Sequence, residues 1–147
     1  MSTSDQISPV PDLKNCRLLK LDSIPGQGGI LTVVQNGMTD IPFDIRRIFY
    51  LHNLKHEAVR GGHAHIASHE IIIPVSGGFT LVLDDGCHHK SFVMTDPQEG
   101  MYVAPGIWRT LSRFEPGTVV LVLSSELYSE EDYIRDYTKY IARYRPS

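Results

Sequence analysis

The stretch RGGHAHIASHEIIIPVSGGFTLVLDDG, residues 60–86, decides the fold. It holds three short runs, Gly62–His65, Glu70–Val75 and Phe79–Leu83. Ser76-Gly77-Gly78 and Asp84-Asp85-Gly86 interrupt them with residues that tolerate positive φ. With Lys90–Met94 beyond the second interruption, the segment from Ile71 to Met94 reads as a meander of antiparallel strands. On a strand, side chains two apart share a face, so His63 and His65 point the same way.

The same rhythm runs outward in both directions. Cys16–Leu21, Gly29–Val34 and Arg46–Leu51 precede the meander, and Gly100–Val103, Thr110–Arg113 and Val119–Ser124 follow it. Pro42, Pro74, Pro97, Pro105 and Pro116 stand at run boundaries, where a missing N–H harms a ladder least. Many short strands without intervening helices predict an all-β closed barrel or sandwich. The tail differs: in SEEDYIRDYTKYIARY, Tyr133, Ile134, Tyr137, Tyr140, Ile141 and Tyr144 recur at helical offsets. Ser129 as cap, with Glu130, Glu131 and Asp132 behind it, predicts a C-terminal helix over about 129–144, packed across the barrel. Residues 1–14 are polar and proline-bearing and read as a flexible N-terminus, leaving 15–147 as a single domain.

Composition narrows the function classes. The chain has 147 residues, enough to build a core without disulfides or metal. Its 14 basic and 17 acidic residues give a net charge of −3, without the basic excess of a general nucleic-acid binder. Cys16 and Cys87 suggest neither a disulfide framework nor a metal knuckle. The N-terminus lacks the basic and apolar regions of a secretion signal, and no apolar run approaches the roughly 20 residues of a spanning helix. A cytoplasmic protein with no membrane association is expected.

The chemistry concentrates around His63 and His65. Two imidazoles and Glu70 converging on one point would suit a divalent transition ion. Yet the turn Ala104-Pro105-Gly106-Ile107-Trp108 resembles that of the second motif of the cupin superfamily, a resemblance that implies a further histidine ligand after it, and the residue here is Arg109. A guanidinium cannot ligate, and its fixed charge opposes a dication, so no metal is expected. A metal-free histidine pair beside Arg60 and Arg109 suits general acid–base work near neutral pH. His88 and His89 read as exposed turn residues, and His52, His56 and His69 as structural or surface groups.

The spacing HxH(x4)E(x6)G, carried by His63, His65, Glu70 and Gly77, resembles the first motif of the cupin superfamily of small double-sheet barrels. More specifically, IPFDIRRIFYL (41–51), RGGHAH (60–65), LDDG (83–86), MYVAPGIWR (101–109) and LVLSSELYSEEDYIRDY (121–137) resemble the WxcM-like cupins, the 3,4-ketoisomerases of nucleotide-linked deoxysugar pathways. The resemblance implies an RmlC-like jelly-roll barrel, a homodimer and no cofactor. It implies a dTDP-4-keto-6-deoxyglucose substrate converted to its 3-keto isomer, upstream of an aminotransferase, in making dTDP-linked 3-amino-3,6-dideoxysugars for surface glycans.

On that reading His63 is the carbon base and His65 the partner that shuttles or orients, although sequence does not separate the two. Arg109 either steadies enediolate charge or forms a structural ion pair. Arg47 and Arg60 match family arginines near the cavity mouth, where a guanidinium fork fits diphosphate oxygens. Tyr50 is a candidate hydroxyl donor to the sugar, and Trp108 a candidate cavity wall or thymine-stacking surface. Many relatives carry an Asp-x-Arg-Gly segment where this chain has Gly26-Gln27-Gly28-Gly29, and some have His in place of Arg109. Both positions bear on which face of C4 is protonated, and the gluco product is the expected one. A nucleotide-sugar 3,5-epimerase, a metal-dependent cupin and a non-catalytic sugar-binding cupin are the competing readings, because the fold hosts many functions.

Overall fold

The computed structural model describes residues 9–147. Its elements are β1 (Arg17–Lys20), β2 (Asp22–Gly26), β3 (Gly29–Val33), β4 (Arg47–Leu51), β5 (Arg60–His65), β6 (Glu70–Ser76), β7 (Phe79–Asp84), β8 (His89–Met94), β9 (Glu99–Val103), β10 (Trp108–Ser112), β11 (Val119–Ser124), β12 (Tyr133–Ile134) and α1 (Tyr137–Tyr144). One five-stranded sheet runs β1-β9-β6-β11-β4, a second runs β12-β5-β10-β7-β8, and β2 and β3 form a separate hairpin. All pairings are antiparallel. The double-sheet all-β architecture is the expected one.

Alternation along the strands builds the core. Phe79, Leu81 and Leu83 of β7 and Leu111 of β10 join Ile72, Val120 and Val122 of the other sheet in one buried cluster. The outer face of the first sheet is covered by the chain between β3 and β4: Val34, Ile41, Phe43 and Ile45 pack on the same cluster, with the Phe43 ring 6.2 Å from that of Tyr102. The motif glycine Gly77 sits at φ +70°, where a Cβ would lie 2.3 Å from Thr118 Oγ1. The turn can thus pass Thr118 only with glycine there.

The tail departs from the expected continuous helix. Glu130–Asp132 form a 3₁₀ turn, Tyr133 and Ile134 pair with His65 and Ala64 as β12, and the helix occupies only Tyr137–Tyr144. Its cap is Asp136, which accepts from Lys139 N–H, and Ser129 makes no side-chain capping bond. The open edge of β5 supplies the reason: pairing there satisfies backbone groups that a helix would leave exposed. The helix then packs across the outer face of the second sheet, with Tyr140 and Tyr144 against Ala64 and Trp108.

Three smaller differences follow from pairing as well. Pro74 lies inside β6, beyond the last residue that pairs with β9 and beside a register shift with β11, so no ladder bond needs its missing N–H. A further strand, β2, contains Pro25 and pairs only with β3. Residues 1–8 of the expected flexible N-terminus lie outside the described residues, but residues beyond them are held: Leu13 N–H donates to Asp85 and Arg145 Nη2 donates to Pro11 O at 2.7 Å.

Candidate active site

Between the sheets lies a cavity of about 460 Å³. Phe49, Leu51, Ile72, Leu111 and Val122 make it apolar on one side, and His63, Arg109, Glu70, Tyr133, Arg60 and Arg135 give the rest its polarity. Local backbone geometry brings the key pair together. Arg109 lies opposite His63 across the β5–β10 ladder, which shifts register after Arg109. Gly61, at φ +80°, sits in this irregularity, and a Cβ there would lie 2.8 Å from Arg109 O. The glycine lets β5 approach closely enough for both side chains to reach the same wall.

His63 and His65 share a face as expected, but they occupy different layers. His63 lines the cavity, whereas His65 is fully buried behind it. Their rings meet edge to face at 4.9 Å, and Tyr133 lies against both, at 4.9 Å from His63 and 4.4 Å from His65. Burial, then the positive charge of Arg109, pull the His63 pKa down to about 4. His65 is pulled down to about 3 by burial, Arg109 and His63, in that order. Both imidazoles are therefore neutral at pH 7.

Behind them is a buried charge cluster. Arg109, 2% exposed, donates from Nη1 to Glu70 Oε1 at 2.5 Å and from Nη2 to Ile107 O at 3.1 Å. Arg47 Nη2 lies 3.9 Å from Glu70 Oε2. Burial pushes the Glu70 carboxyl up, opposed by Arg109 and Arg47. On the far side of His65, Nδ1 is 2.9 Å from Asp132 Oδ2. Asp132 also accepts from Ser68 Oγ and Ala67 N–H, both at 2.6 Å. Burial raises this carboxyl, but those hydrogen bonds outweigh it and hold Asp132 below the ordinary aspartate value.

Five buried polar atoms around the cavity lack a partner: Arg47 Nε, His63 Nδ1, His65 Nε2, Glu70 Oε2 and Arg109 Nε. Unsatisfied buried groups concentrated at one place mark a site built for a polar ligand. The donor set does not suit a dication. Glu70 is already engaged by a guanidinium, and among the described residues no three His, Cys, Asp or Glu side chains are grouped to hold a metal ion.

Of the residues singled out from sequence, His63, Arg60 and Arg109 line the cavity, while His65 and Arg47 stand behind it against Glu70. Tyr50 and Trp108 do not belong there. Tyr50 alternates outward on β4 between the cavity residues Phe49 and Leu51 and is 61% exposed. Trp108 alternates outward from Arg109 and packs under α1, its ring 5.1 Å from that of Tyr137 and 5.5 Å from that of Tyr140. The sequence reading missed Asp132, Tyr133 and Arg135. Arg135 lies over the Tyr133 ring at 4.1 Å and is held by Glu130 through bonds of 2.6 and 3.0 Å. All three sit in the tail segment that carries the family likeness, which was the available signal; the helical reading hid their strand geometry.

Comparison with known proteins agrees with this geometry. The WxcM-like, C-terminal family matches residues 14–145. The chain is 35% identical over 123 residues to a TDP-4-oxo-6-deoxy-alpha-D-glucose-3,4-oxoisomerase of Aneurinibacillus thermoaerophilus, covering 82% of this chain and 87% of that one. Among solved structures it is similar to a histidine-to-asparagine mutant of the 3,4-ketoisomerase QdtA from Thermoanaerobacterium thermosaccharolyticum in complex with TDP-4-keto-6-deoxyglucose. The TM-score is 0.84 with 38% identity, covering 88% of this chain and 94% of that one. It is likewise similar to the TDP-quinovose 3,4-ketoisomerase WlaRB of Campylobacter jejuni, with TM-score 0.82 and 32% identity over 87% of this chain and 98% of that one. An RmlC-like cupin barrel with this cavity and this tail places the chain in the WxcM-like, C-terminal family.

Proposed function

We propose that this protein is a sugar 3,4-ketoisomerase that converts dTDP-4-keto-6-deoxyglucose to the 3-keto isomer without metal or redox cofactor. The observation that carries the reading is His63: a neutral imidazole in the wall of the cavity, with the fixed charge of Arg109 on the same wall. A 4-keto group acidifies the neighbouring C3–H, so a positioned base can remove that proton and leave an enediolate. His63 acts as that base, and Arg109, with Nε free of a partner, stabilises the developing oxyanion. The proton taken from C3 leaves His63 to solvent, a solvent-derived proton is delivered to C4 from the opposite face, and the O3 proton passes to O4. One C–H bond breaks as another forms, so no external oxidant or reductant is needed. His65 supports His63 from behind and does not itself reach the substrate.

Arg60 and Arg135 at the cavity fit the diphosphate, and the apolar side formed by Phe49, Ile72 and Leu111 suits the deoxy carbon of the sugar. Arg109 stands at the position where relatives vary between Arg and His, and with Arg present the reading takes the gluco product. The test is incubation with the substrate in D2O followed by NMR. Deuterium at C4 with a new C3 ketone is the expected result, and an unchanged spectrum overturns the proposal. In H2O, a large diaxial coupling between H4 and H5 of the product identifies the gluco isomer, and a small one the galacto isomer.

The same reading makes the protein a homodimer, placed in the cytoplasm, whose 3-keto product goes to an aminotransferase in making 3-amino-3,6-dideoxysugars for surface glycans. Exposed Ile24, Ile30 and Leu31 on the β2–β3 hairpin are the apolar surface that a second subunit would cover, and the two unpaired cysteines suit a reducing compartment. Light scattering at the mass of two chains is expected; the mass of one chain sinks the dimer. No helix among the described residues is long and apolar enough to cross a membrane.

A further inference from the structure

We propose that Asp132 is a positioning residue that reserves Glu70 for Arg109 by fixing the tautomer of His65. The inference deepens the isomerase reading and rests on it for its kinetic consequence. Its geometric basis is a chain of buried contacts running from the tail to the cavity wall. Asp132 Oδ2 lies 2.9 Å from His65 Nδ1, His65 Nε2 lies 3.5 Å from Glu70 Oε1, and that same Oε1 receives Arg109 Nη1 at 2.5 Å.

A carboxylate only accepts hydrogen bonds, so the contact with Asp132 requires the single imidazole proton of neutral His65 to sit on Nδ1. Asp132 cannot turn away from this task, because Ser68 Oγ donates to the same Oδ2 and Ala67 N–H to Oδ1. With its proton on Nδ1, His65 presents a lone pair at Nε2 towards Glu70, and Nε2 indeed has no hydrogen-bond partner. Two acceptors that face each other do not bond. Oε1 is then left to Arg109, which Glu70 holds in the cavity wall beside His63.

The opposite tautomer would have the opposite effect. With its proton on Nε2, His65 would become a second donor 3.5 Å from Oε1, and because that oxygen can accept from both, Glu70 would be drawn towards His65 and share its charge between the ring and Arg109. The guanidinium would lose its hold by a fraction of an ångström to an ångström, and misplacement on that scale costs about 10²-fold in rate. Asp132 thus acts on the reacting centre through His65, Glu70 and Arg109, without touching substrate.

Asp132→Asn inverts the polarity at nearly constant shape. The amide oxygen takes the Oδ1 place and still accepts from Ala67 N–H, while the amide NH2 takes the Oδ2 place, faces Nδ1 and Ser68 Oγ, and makes both of them acceptors. The test uses protein labelled with 15N-histidine and records two-bond 15N–1H correlations of the imidazoles. Wild-type His65 is expected as the neutral Nδ1–H form at pH 7, and Asp132→Asn is expected to move its proton to Nε2. Steady-state kinetics of that variant are expected to show kcat lower by about 10²-fold with KM close to wild type. A wild-type His65 protonated on Nε2, or a variant with switched tautomer and unaltered kcat, overturns the proposal. If the variant fails to fold, the wild-type spectrum alone still decides the tautomer. If the isomerase reading itself is wrong, wild type shows no turnover while the tautomer result stands, so the two failures are distinguishable.

Discussion

His63 and His65 are two positions apart on one strand, yet one Å-scale difference in depth separates their roles. The first meets the cavity and the second meets only protein, so the period of two predicted their shared direction but not which of them touches substrate. Because burial and Arg109 pull the His63 pKa down to about 4, the base stays unprotonated well below neutrality. The acid limb of kcat/KM is therefore expected near pH 4, and a limb at the ordinary histidine value of about 6.5 would show that a different group is the base. Arg109 carries a second prediction. Arg109→Leu leaves Glu70 buried beside an apolar side chain, which is expected to cost about 3–5 kcal/mol in urea denaturation. The double replacement with Glu70→Leu is expected to cost less than the single one, since the buried carboxylate goes with its closest partner and only the partly exposed Arg47 is left without it. Equal costs would mean that the pair is not coupled.

At the scale of elements, the tail joins site and scaffold. Its first half supplies Tyr133 and Arg135 to the cavity and Asp132 to His65 behind it, and its second half is the short helix α1. The aromatic spacing from Tyr133 to Tyr144 correctly predicted burial of Tyr140 and Tyr144 but not the break at residues 133–136. Local periodicity carries no information about the open edge of β5, 68 to 70 residues away along the chain, and tertiary pairing decides the matter. The same holds for Trp108, whose neighbour Arg109 was rightly placed at the cavity while alternation sent the indole to the helix. Tyr140 fastens α1 to the barrel, with its hydroxyl donating to Gly106 O at 2.6 Å and lying 3.1 Å from Asp84 O. Tyr140→Phe strands these buried carbonyls and is expected to cost about 1–3 kcal/mol. Turnover should survive, because the hydroxyl lies on the outer face of the sheet; a lost activity in a folded variant would mean that α1 shapes the cavity.

For the whole molecule, a net charge of −3 conceals an uneven distribution, with Arg47, Arg60, Arg109 and Arg135 gathered at one cavity around two neutral imidazoles. The strands and their turns were legible in outline, because turn residues and alternation are local signals. The expected meander from Ile71 to Met94 did not form: the turn at Gly77-Gly78 carries the chain from one sheet to the other, so β6 pairs with β9 and β11, and of its strands only β7 and β8 pair as neighbours. The buried network was not legible, since Asp132 lies 67 residues from His65 and Arg109 lies 39 residues from Glu70, and only packing brings them together. That network makes stability depend on pH. In the unfolded chain both histidines take up protons near the ordinary value of about 6.5, whereas in the fold their pKa values are lowered to about 4 and about 3. Between pH 6.5 and 4 the unfolded state binds more protons, so stability is complete above 6.5 and falls as the pH drops through this window. Each ring contributes a slope of up to about 1.4 kcal/mol per pH unit there. Urea unfolding between pH 7.5 and 4.5 is expected to show the decline beginning near 6.5, and His63→Asn is expected to reduce its slope by up to half. A stability that stays level down to pH 5 would mean that the rings are accessible to protons in the folded state, and with that the neutral base on which the catalytic reading depends would be lost.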